Sequence, residues 1–374
     1  MTEKIHTAIG LMSGTSLDGV DAAIVRTDGN SVQSFGQSLS LPYSEKFKEN
    51  LRKVLALAPV MAGKPKSEIG PLFRSVEREL TKLHADAVRQ LLRKESQSKR
   101  NIAVIGFHGQ TIYHAPDKSI TWQLGDGALL AQLTGLNVIN DFRSNDVRSG
   151  GQGAPFAPLY HMAVVRERTS CKTLAVLNIG GVANLTWISF EGRRPRLQAF
   201  DTGPGNALVN DWVFEGTGRH FDEDGMLARA GKVQPFPLQE ALKDPYFTAP
   251  PPKSLDRNYF SAKMVEGMSL EDGAATLTAF TVACVAKASR LCPAPPEAWY
   301  ITGGGRHNDQ MMKGLKEVFG VPVEPVEVLG LRGDSLEAEA FAFLAVRSAN
   351  GWPLSLPETT GVKEKVSGGR LYRA

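Results

Sequence analysis

Short apolar runs alternate with amphipathic stretches along the first half of the chain. In the amphipathic stretches apolar residues recur at helical spacing, and Ser44 and Ser67 are expected to begin two helices. The polar turn Ser13–Gly19 joins the first two apolar runs as a hairpin. This succession predicts an α/β fold. The expected strands are Thr7–Met12, Val20–Arg26, and a third near Ser38–Leu41.

The middle of the chain contains a long polar segment that we interpret as a domain boundary. A buried strand over Asn101–Phe107 is expected to end before His108, and a hairpin follows over Thr111–Leu124. The glycine-rich segment Arg143–Pro155 has a length that is usually functional in compact domains. We therefore expect an N-terminal domain over residues 1–140 and a C-terminal domain over 141–374, with the C-terminal tail able to pack back on the first.

The second half repeats the plan of the N-terminus. A strand over Thr173–Leu177, a glycine turn over Asn178–Asn184 and a strand over Leu185–Ser189 follow one another. The recurrence predicts two halves with a similar organisation. Later elements are a helix over Glu271–Leu291 capped by Ser269, a strand over Ala298–Thr302, a helix over Asp309–Phe319 and a helix over Asp334–Arg347.

Composition narrows the class of protein. The chain has 374 residues, 42% hydrophobic and 22% charged, with a net charge of +4 and no basic run interleaved with aromatics. These values predict a globular protein of two domains that does not bind nucleic acid. The three cysteines lack CxxC spacing, and from the sequence pattern we expect neither a leader peptide nor a membrane-spanning helix. We therefore predict a cytoplasmic protein with no membrane partner.

The stretch Phe200–Asn206 is the strongest candidate for catalysis. It reads as a strand end, the carboxylate of Asp201, a Gly-Pro-Gly turn and the start of a helix. We expect the unpaired N–H groups of that helix to favour negative charge on Asp201. A carboxylate in a glycine-lined bend is suited to act as a general base. An ordinary turn aspartate is the alternative. Asp222 and Asp224 are expected in a surface loop.

Phosphate binding is the second candidate chemistry. The sequence contains no GxxxxGK[ST] loop, and no GxGxxG opens a helix after a strand. The hairpin turn SGTSLDG offers glycines, backbone N–H groups and hydroxyls that can bind phosphate oxygens. A plain polar turn is the alternative. Two such hairpins, one per domain, and a third glycine turn at 303–305 are together suited to hold a nucleoside triphosphate across a cleft.

Over nearly its whole length the chain resembles the 1,6-anhydro-N-acetylmuramic acid kinase family. This family belongs to the actin, heat-shock and sugar-kinase superfamily. The segments that carry the resemblance are GLMSGTSLDGVDAAIV (10–25), GFHGQT (106–111), QLGDGALLAQLTG (123–135), DFRSNDV with GGQGAP (141–155), LNIGGVANLT (177–186), FDTGPGNALVNDW (200–212), ITGGGRHN (301–308) and LEAEAFAFLA (336–345). The loop KSLDR (253–257) and Arg306-His307 depart from the family pattern.

The resemblance implies a fold, a reaction and site residues. The fold would be a two-domain actin-like ATPase, each domain a mixed sheet flanked by helices. The reaction would open the 1,6-anhydro bridge with water and phosphorylate O6, giving N-acetylmuramic acid 6-phosphate and ADP in peptidoglycan recycling. Asp201 matches the catalytic base, and Asp18 is suited to reach Mg²⁺ through water. The residues expected to bind ATP are Gly14, Thr15, Ser16, Leu17, Asp18, Gly19, Val20, Asp21, Gly180, Gly181, Gly303, Gly304 and Gly305.

Several polar residues are expected to bind the sugar. Arg143 and Gln152 are suited to bind its lactyl carboxylate or N-acetyl group, or to bond only within their own loop. His108 is as well suited to a structural role. A homodimer is possible. Competing functions are another sugar kinase of the superfamily and an ATP-switched binding or filament-forming protein. The predicted sugar-binding residues are His108, Thr111, Arg143, Gln152, Gly153 and Glu337.

Overall fold

The computed structural model describes residues 4–14, 16–65, 68–95 and 99–374. Its internal contacts divide the chain into two compact units. The first contains the residues up to Val164 together with Ser335–Ala374, and the second contains Val165–Asp334. The division therefore lies later than residue 140, where we expected the boundary. The segment after residue 140 stays with the first unit because it bonds to the C-terminal part, for example from Gln152 N to Thr360 O at 2.6 Å.

The first unit is built on a seven-stranded mixed sheet in the order β12-β6-β4-β1-β2-β3, with β5 paired to β4. Strand β1 runs antiparallel to β2 and parallel to β4. The order places β1 in the interior of the sheet, so both of its faces need cover. Its strands are β1 His6–Ser13, β2 Gly19–Thr27, β3 Val32–Pro42, β4 Ile102–Ala115, β5 Ile120–Leu124, β6 Val138–Asn140 and β12 Arg370–Tyr372.

Helices cover this sheet. Phe47 and Leu51 of the first helix pack with Ile9 in one core cluster. The last long helix lies directly on the strands, since a Cβ added at Gly10 would be 1.7 Å from Ala338 O. The helices are α1 Glu45–Met61, α2 Pro71–Glu95, α3 Gly127–Thr134, α4 Ser144–Arg148, α5 Pro158–Val165, α11 Leu336–Ala349 and α12 Pro357–Thr360.

The second unit repeats this plan with a five-stranded sheet in the order β11-β10-β7-β8-β9. Its first three strands form an antiparallel meander, and β10 joins β7 in parallel. The strands are β7 Thr173–Ile179, β8 Val182–Ser189, β9 Arg196–Pro204, β10 Ala298–Thr302 and β11 Val323–Pro325. The helices are α6 Ala207–Thr217, α7 Met226–Ala230, α8 Pro235–Ala241, α9 Leu270–Ser289 and α10 Asp309–Phe319.

The predicted fold class, two α/β halves each with a mixed sheet flanked by helices, is confirmed. The predicted similarity of the two halves is also confirmed, because the sheet order β4-β1-β2-β3 of the first unit matches the order β10-β7-β8-β9 of the second. The capping roles of Ser44 and Ser269 are also confirmed. Ser67 lies outside the described residues.

One strand was predicted too short. Strand β4 does not end before His108 but continues to Ala115, pairing first with β1 and then with β5. Gly109 lets the strand bend at this change of partner. Its φ is +73°, and a Cβ there would lie 2.1 Å from Leu124 O.

Candidate active site

The first predicted phosphate site is the turn between β1 and β2. Protein groups anchor its carbonyls: Gly14 O accepts from Leu17 N and from Gln110 Nε2, and Asp18 O accepts from Tyr43 N. Within the described part of the chain, a Cβ added at Gly14 would have one neighbour within 4 Å, Ser16 Oγ at 3.5 Å. Packing of the described residues therefore does not require glycine there.

The other residues of this hairpin have different environments. Leu17 and Val20 are buried in the core, whereas Ser16 and Asp18 are exposed. Gly19 is required by packing, because its Cβ would lie 2.1 Å from Leu41 O. Asp21 accepts a hydrogen bond from Ser40 Oγ at 2.5 Å, and Thr15 lies outside the described residues.

The second hairpin turn, Gly180-Gly181 between β7 and β8, is docked onto the start of α6. The N–H groups of Gly205 and Ala207 donate to Gly181 O, and Asn206 N donates to Gly180 O at 2.7 Å. Of the first N–H groups of this helix, those of Asn206 and Ala207 are therefore bonded to the hairpin. That the start of α6 favours negative charge on Asp201 stays a prediction.

The third glycine turn, residues 303–305, is held by a buried arginine. Arg306 Nη1 donates to Gly303 O, and its guanidinium pairs with Glu327 and Asp334 at 2.9 and 2.8 Å. Gly303 adopts φ +76°, and a Cβ there would lie 2.4 Å from Asn178 Oδ1. The departure from the family pattern at Arg306 thus stabilises the turn itself.

Asp201 lies inside β9 rather than after it, and it is 7% exposed. Its N–H donates to Lys253 O at 3.0 Å, and its Oδ2 accepts from Leu255 N at 2.8 Å. Tyr246 Oη donates to Asp201 O at 2.6 Å. The aspartate is therefore fixed by a distant loop and is not an ordinary turn aspartate. A carboxylate held by a backbone N–H is oriented for proton transfer.

Three predicted sugar-binding residues of the first unit lie together. Arg143 Nε donates to His108 Nε2 at 3.0 Å, and Arg143 Nη1 donates to Gly153 O at 2.6 Å. His108 Nδ1 donates to Gly109 O at 2.8 Å, which fixes a neutral imidazole. Burial, reinforced by the Arg143 charge, holds the pKa of His108 well below its usual range. The cluster therefore offers a rigid guanidinium rather than a titrating histidine.

The remaining predicted sugar-binding residues are spread over the first unit. Thr111 Oγ1, on β4, accepts from Gln123 Nε2 at 3.3 Å. Gln152, in the loop after α4, bonds through its backbone to His114 and Thr360. Glu337 is exposed in the first turn of α11. These three residues therefore come from three separate elements, in contrast to the directly bonded Arg143 cluster.

Sequence reasoning missed the residues that seat Asp201. Lys253 was noted only as part of the loop KSLDR, Tyr246 was not singled out, and no local pattern connects either residue to Asp201. Asp222 is also corrected: it is 7% exposed and accepts from Leu227 N and Ala228 N, so it caps α7 instead of lying free on the surface. Asp224 is exposed as expected.

Two further properties are defined for the described part of the chain. Among those residues, no group of three or more His, Cys, Asp or Glu side chains is arranged to hold a metal ion. No helix within residues 4–14, 16–65, 68–95 and 99–374 combines the length and apolar character needed to cross a bilayer.

Comparison with known proteins identifies one family whose sequence pattern extends over nearly the whole chain. The model of the anhydro-N-acetylmuramic acid kinase family matches residues 6–374. The chain is similar to a protein named anhydro-N-acetylmuramic acid kinase from Paramagnetospirillum magneticum, with 51% identity over 98% of this chain and 99% of the relative. A protein of the same name from Acidiphilium cryptum is 50% identical over 98% of each chain. A third, from Rhodospirillum rubrum, is 49% identical over 98% of this chain and 94% of its own length. The chain belongs to the anhydro-N-acetylmuramic acid kinase family.

Proposed function

We propose that the protein opens the 1,6-anhydro bridge of 1,6-anhydro-N-acetylmuramic acid and phosphorylates O6 with ATP, in the recycling of peptidoglycan. The products are N-acetylmuramic acid 6-phosphate and ADP. The observation that carries the proposal is the seat of Asp201, a nearly buried carboxylate whose Oδ2 is held by Leu255 N at 2.8 Å in a chain of this family.

Asp201 acts as the general base in this proposal. It takes a proton from water as the water oxygen bonds to C1 and the C1–O6 bond breaks. Hydrolysis of a glycosidic bond normally needs a second carboxyl group to protonate the leaving oxygen. Here O6 is captured by the γ-phosphoryl group of ATP as the bond to the β-phosphate oxygen breaks. One carboxylate is therefore sufficient.

ATP binding is assigned to the three glycine turns. Gly14, Ser16 and the backbone up to Asp21 contact phosphate oxygens, as do Gly180 and Gly181. Gly303, Gly304 and Gly305 contact the nucleoside. At Gly14 the support is that packing does not exclude a side chain, since the nearest described atom to an added Cβ is 3.5 Å away.

Mg²⁺ fits the residues of the first hairpin. Asp18 is exposed and supplies a single carboxylate, which suits an ion held mainly by phosphate oxygens and water. When bound there, the ion would supply positive charge to the transferring phosphoryl group. We assign Asp18 to it through water.

The sugar is assigned to polar side chains of the first unit. Arg143, oriented by His108 and Gly153, is suited to pair with the lactyl carboxylate. Thr111, Gln152 and Glu337 supply further hydrogen bonds to the sugar. We place the reaction in the cytoplasm, where ATP is available, and a homodimer stays a prediction that light scattering would test.

The direct test is product analysis. The purified protein is incubated with ATP, Mg²⁺ and 1,6-anhydro-N-acetylmuramic acid, and the products are identified by mass spectrometry and ³¹P NMR. We expect ADP and a 6-phosphorylated reducing sugar in equal amounts. Phosphorylation of N-acetylmuramic acid or glucose but not of the anhydrosugar would indicate another sugar kinase. ATP hydrolysis without any sugar product would indicate an ATP-switched protein.

A further inference from the structure

Lys253 is a buried cation beside the proposed base. It is 8% exposed, and its Nζ donates to Tyr246 O at 2.5 Å. The same Nζ lies 4.3 Å from the centroid of the Tyr246 ring and 6.0 Å from that of Phe200. Burying an ammonium group is costly unless it is compensated. The Tyr246 carbonyl and the rings of Tyr246 and Phe200 offset only part of the cost of burying the ammonium group. A nearby negative charge would offset the rest.

Asp201 is bonded to the same loop, and its negative charge acts to raise the pKa of Lys253. The carbonyl of Lys253 accepts the Asp201 N–H, and Leu255, two residues further, donates its N–H to Asp201 Oδ2. Burial lowers the pKa of Lys253 to about 8, against the opposing effect of the Asp201 charge. The other titratable groups facing Lys253 are Tyr246 and Cys284 of α9, and burial raises the pKa of both, so they are neutral near pH 8.

We propose that Lys253 is a positioning residue for catalysis, which holds the loop on β9 and provides the positive charge that keeps the Asp201 carboxylate ionised and oriented. The proposal rests on the proposed function of Asp201. An opposite charge close to a carboxylate favours its ionised form. The lysine thereby adds to the role expected of the α6 N-terminus, where the N–H groups of Asn206 and Ala207 are bonded to the glycine hairpin.

The charge of Lys253 has a defined pH range. Its ammonium is present below a pH of about 8 and is lost as the pH rises through that value. Activity that depends on this charge should therefore decline on the alkaline side. An arginine keeps its charge over this whole range, since guanidinium does not titrate in proteins. Methionine keeps an unbranched apolar stem for the two rings and removes the charge.

The test compares kcat and kcat/KM from pH 5 to 10 for the wild type, Lys253→Met and Lys253→Arg. For Lys253→Met we expect kcat at pH 7 to fall roughly 10- to 100-fold with KM for the sugar changed little. Its acid limb should move to higher pH, because the removed positive charge no longer favours the ionised carboxylate. For Lys253→Arg the alkaline decline of the wild type should disappear. Circular dichroism and thermal melting establish that each variant is folded.

The opposite results are equally clear. A folded Lys253→Met protein with wild-type kcat and an unchanged profile would overturn the role of Lys253. So would an alkaline decline that Lys253→Arg leaves in place. If the arginine variant does not fold, the acid limb of Lys253→Met decides. If the wild type forms no sugar phosphate at all, the proposed function fails and the role of Lys253 falls with it.

Discussion

At the scale of single residues, the atoms around each glycine show whether packing alone requires the absence of a side chain. Gly19 and Gly14 lie in the same hairpin, yet a Cβ would collide with Leu41 O at the first and, among the described atoms, meet only Ser16 Oγ, at 3.5 Å, at the second. The motif letters alone do not distinguish them. Packing therefore explains Gly19, and Gly14 is the glycine of this turn for which we propose a ligand as the reason.

Gly14→Val should weaken ATP binding by roughly 10-fold or more while leaving the fold intact. A 10-fold loss corresponds to about 1.4 kcal/mol of binding free energy. The added side chain enters the space proposed for phosphate oxygens. Gly70→Val is a matched control, because no described atom lies within 4 Å of a Cβ added at Gly70 and the position needs no positive φ. Calorimetric titration with a non-hydrolysable ATP analogue measures both variants. Equal affinities for the two would contradict the assignment of this turn to phosphate.

His108 should make the protein less stable in mild acid. Its pKa is lowered in the folded state, so below pH 6.5 the unfolded chain binds a proton that the folded chain does not. The free energy of unfolding therefore falls as the pH drops from about 6.5, by roughly 1 kcal/mol per pH unit for one such histidine. Urea denaturation at pH 7.5 and 5.0 should show a smaller loss for His108→Gln than for the wild type. An identical loss in both would contradict a neutral buried His108.

At the scale of elements, the central contact of the second unit is the docking of the β9–α6 connection onto the Gly180-Gly181 turn. A Cβ added at Gly205 would lie 2.2 Å from Gly180 O, whereas one at Gly180 would meet only Val182 O, at 3.6 Å. Gly205 is therefore needed for the two segments to approach. Gly180 is not needed for that contact.

Gly205→Ala and Gly180→Ala should consequently behave differently. The first should lower the melting temperature by several degrees, because the hydrogen bonds between the two segments are forced apart. The second should melt near the wild type and bind ATP more weakly. Differential scanning fluorimetry and ATP titration separate the two effects. A stable Gly205→Ala protein would show that the docking is not required.

Local sequence patterns were sufficient to predict individual helices and strands, but they did not predict which residues surround Asp201. Ser44, Ser269 and the span Ala298–Thr302 follow from capping chemistry and apolar periodicity, which act over a few residues. The seat of Asp201 joins β9 to a loop more than forty residues later in the chain. Such a contact is decided by tertiary packing, and no spacing rule reports it.

At the scale of the whole molecule, the repeated strand order explains why both halves carry a glycine hairpin at the same place in the plan. The position of the boundary could not be read in the same way. Helix α11 follows the second unit in sequence yet lies on β1 and β4, where Gly10 and Gly106 leave room for its backbone. Glycines inside apolar strands are a weak local sign of that return.

The catalytic role of Asp201 is the central claim, and turnover of the anhydrosugar by Asp201→Asn tests it most directly. Asparagine keeps the size of the side chain and an oxygen for Leu255 N, but it does not accept a proton from water. We expect kcat to fall by roughly 10²–10⁴-fold with ATP and sugar affinities retained. Asp224→Asn, at an exposed position, is the matched control and should turn over at the wild-type rate; Asp222 is unsuitable because it caps α7. Near-normal turnover by Asp201→Asn, or an inactive Asp224→Asn protein, would contradict the account.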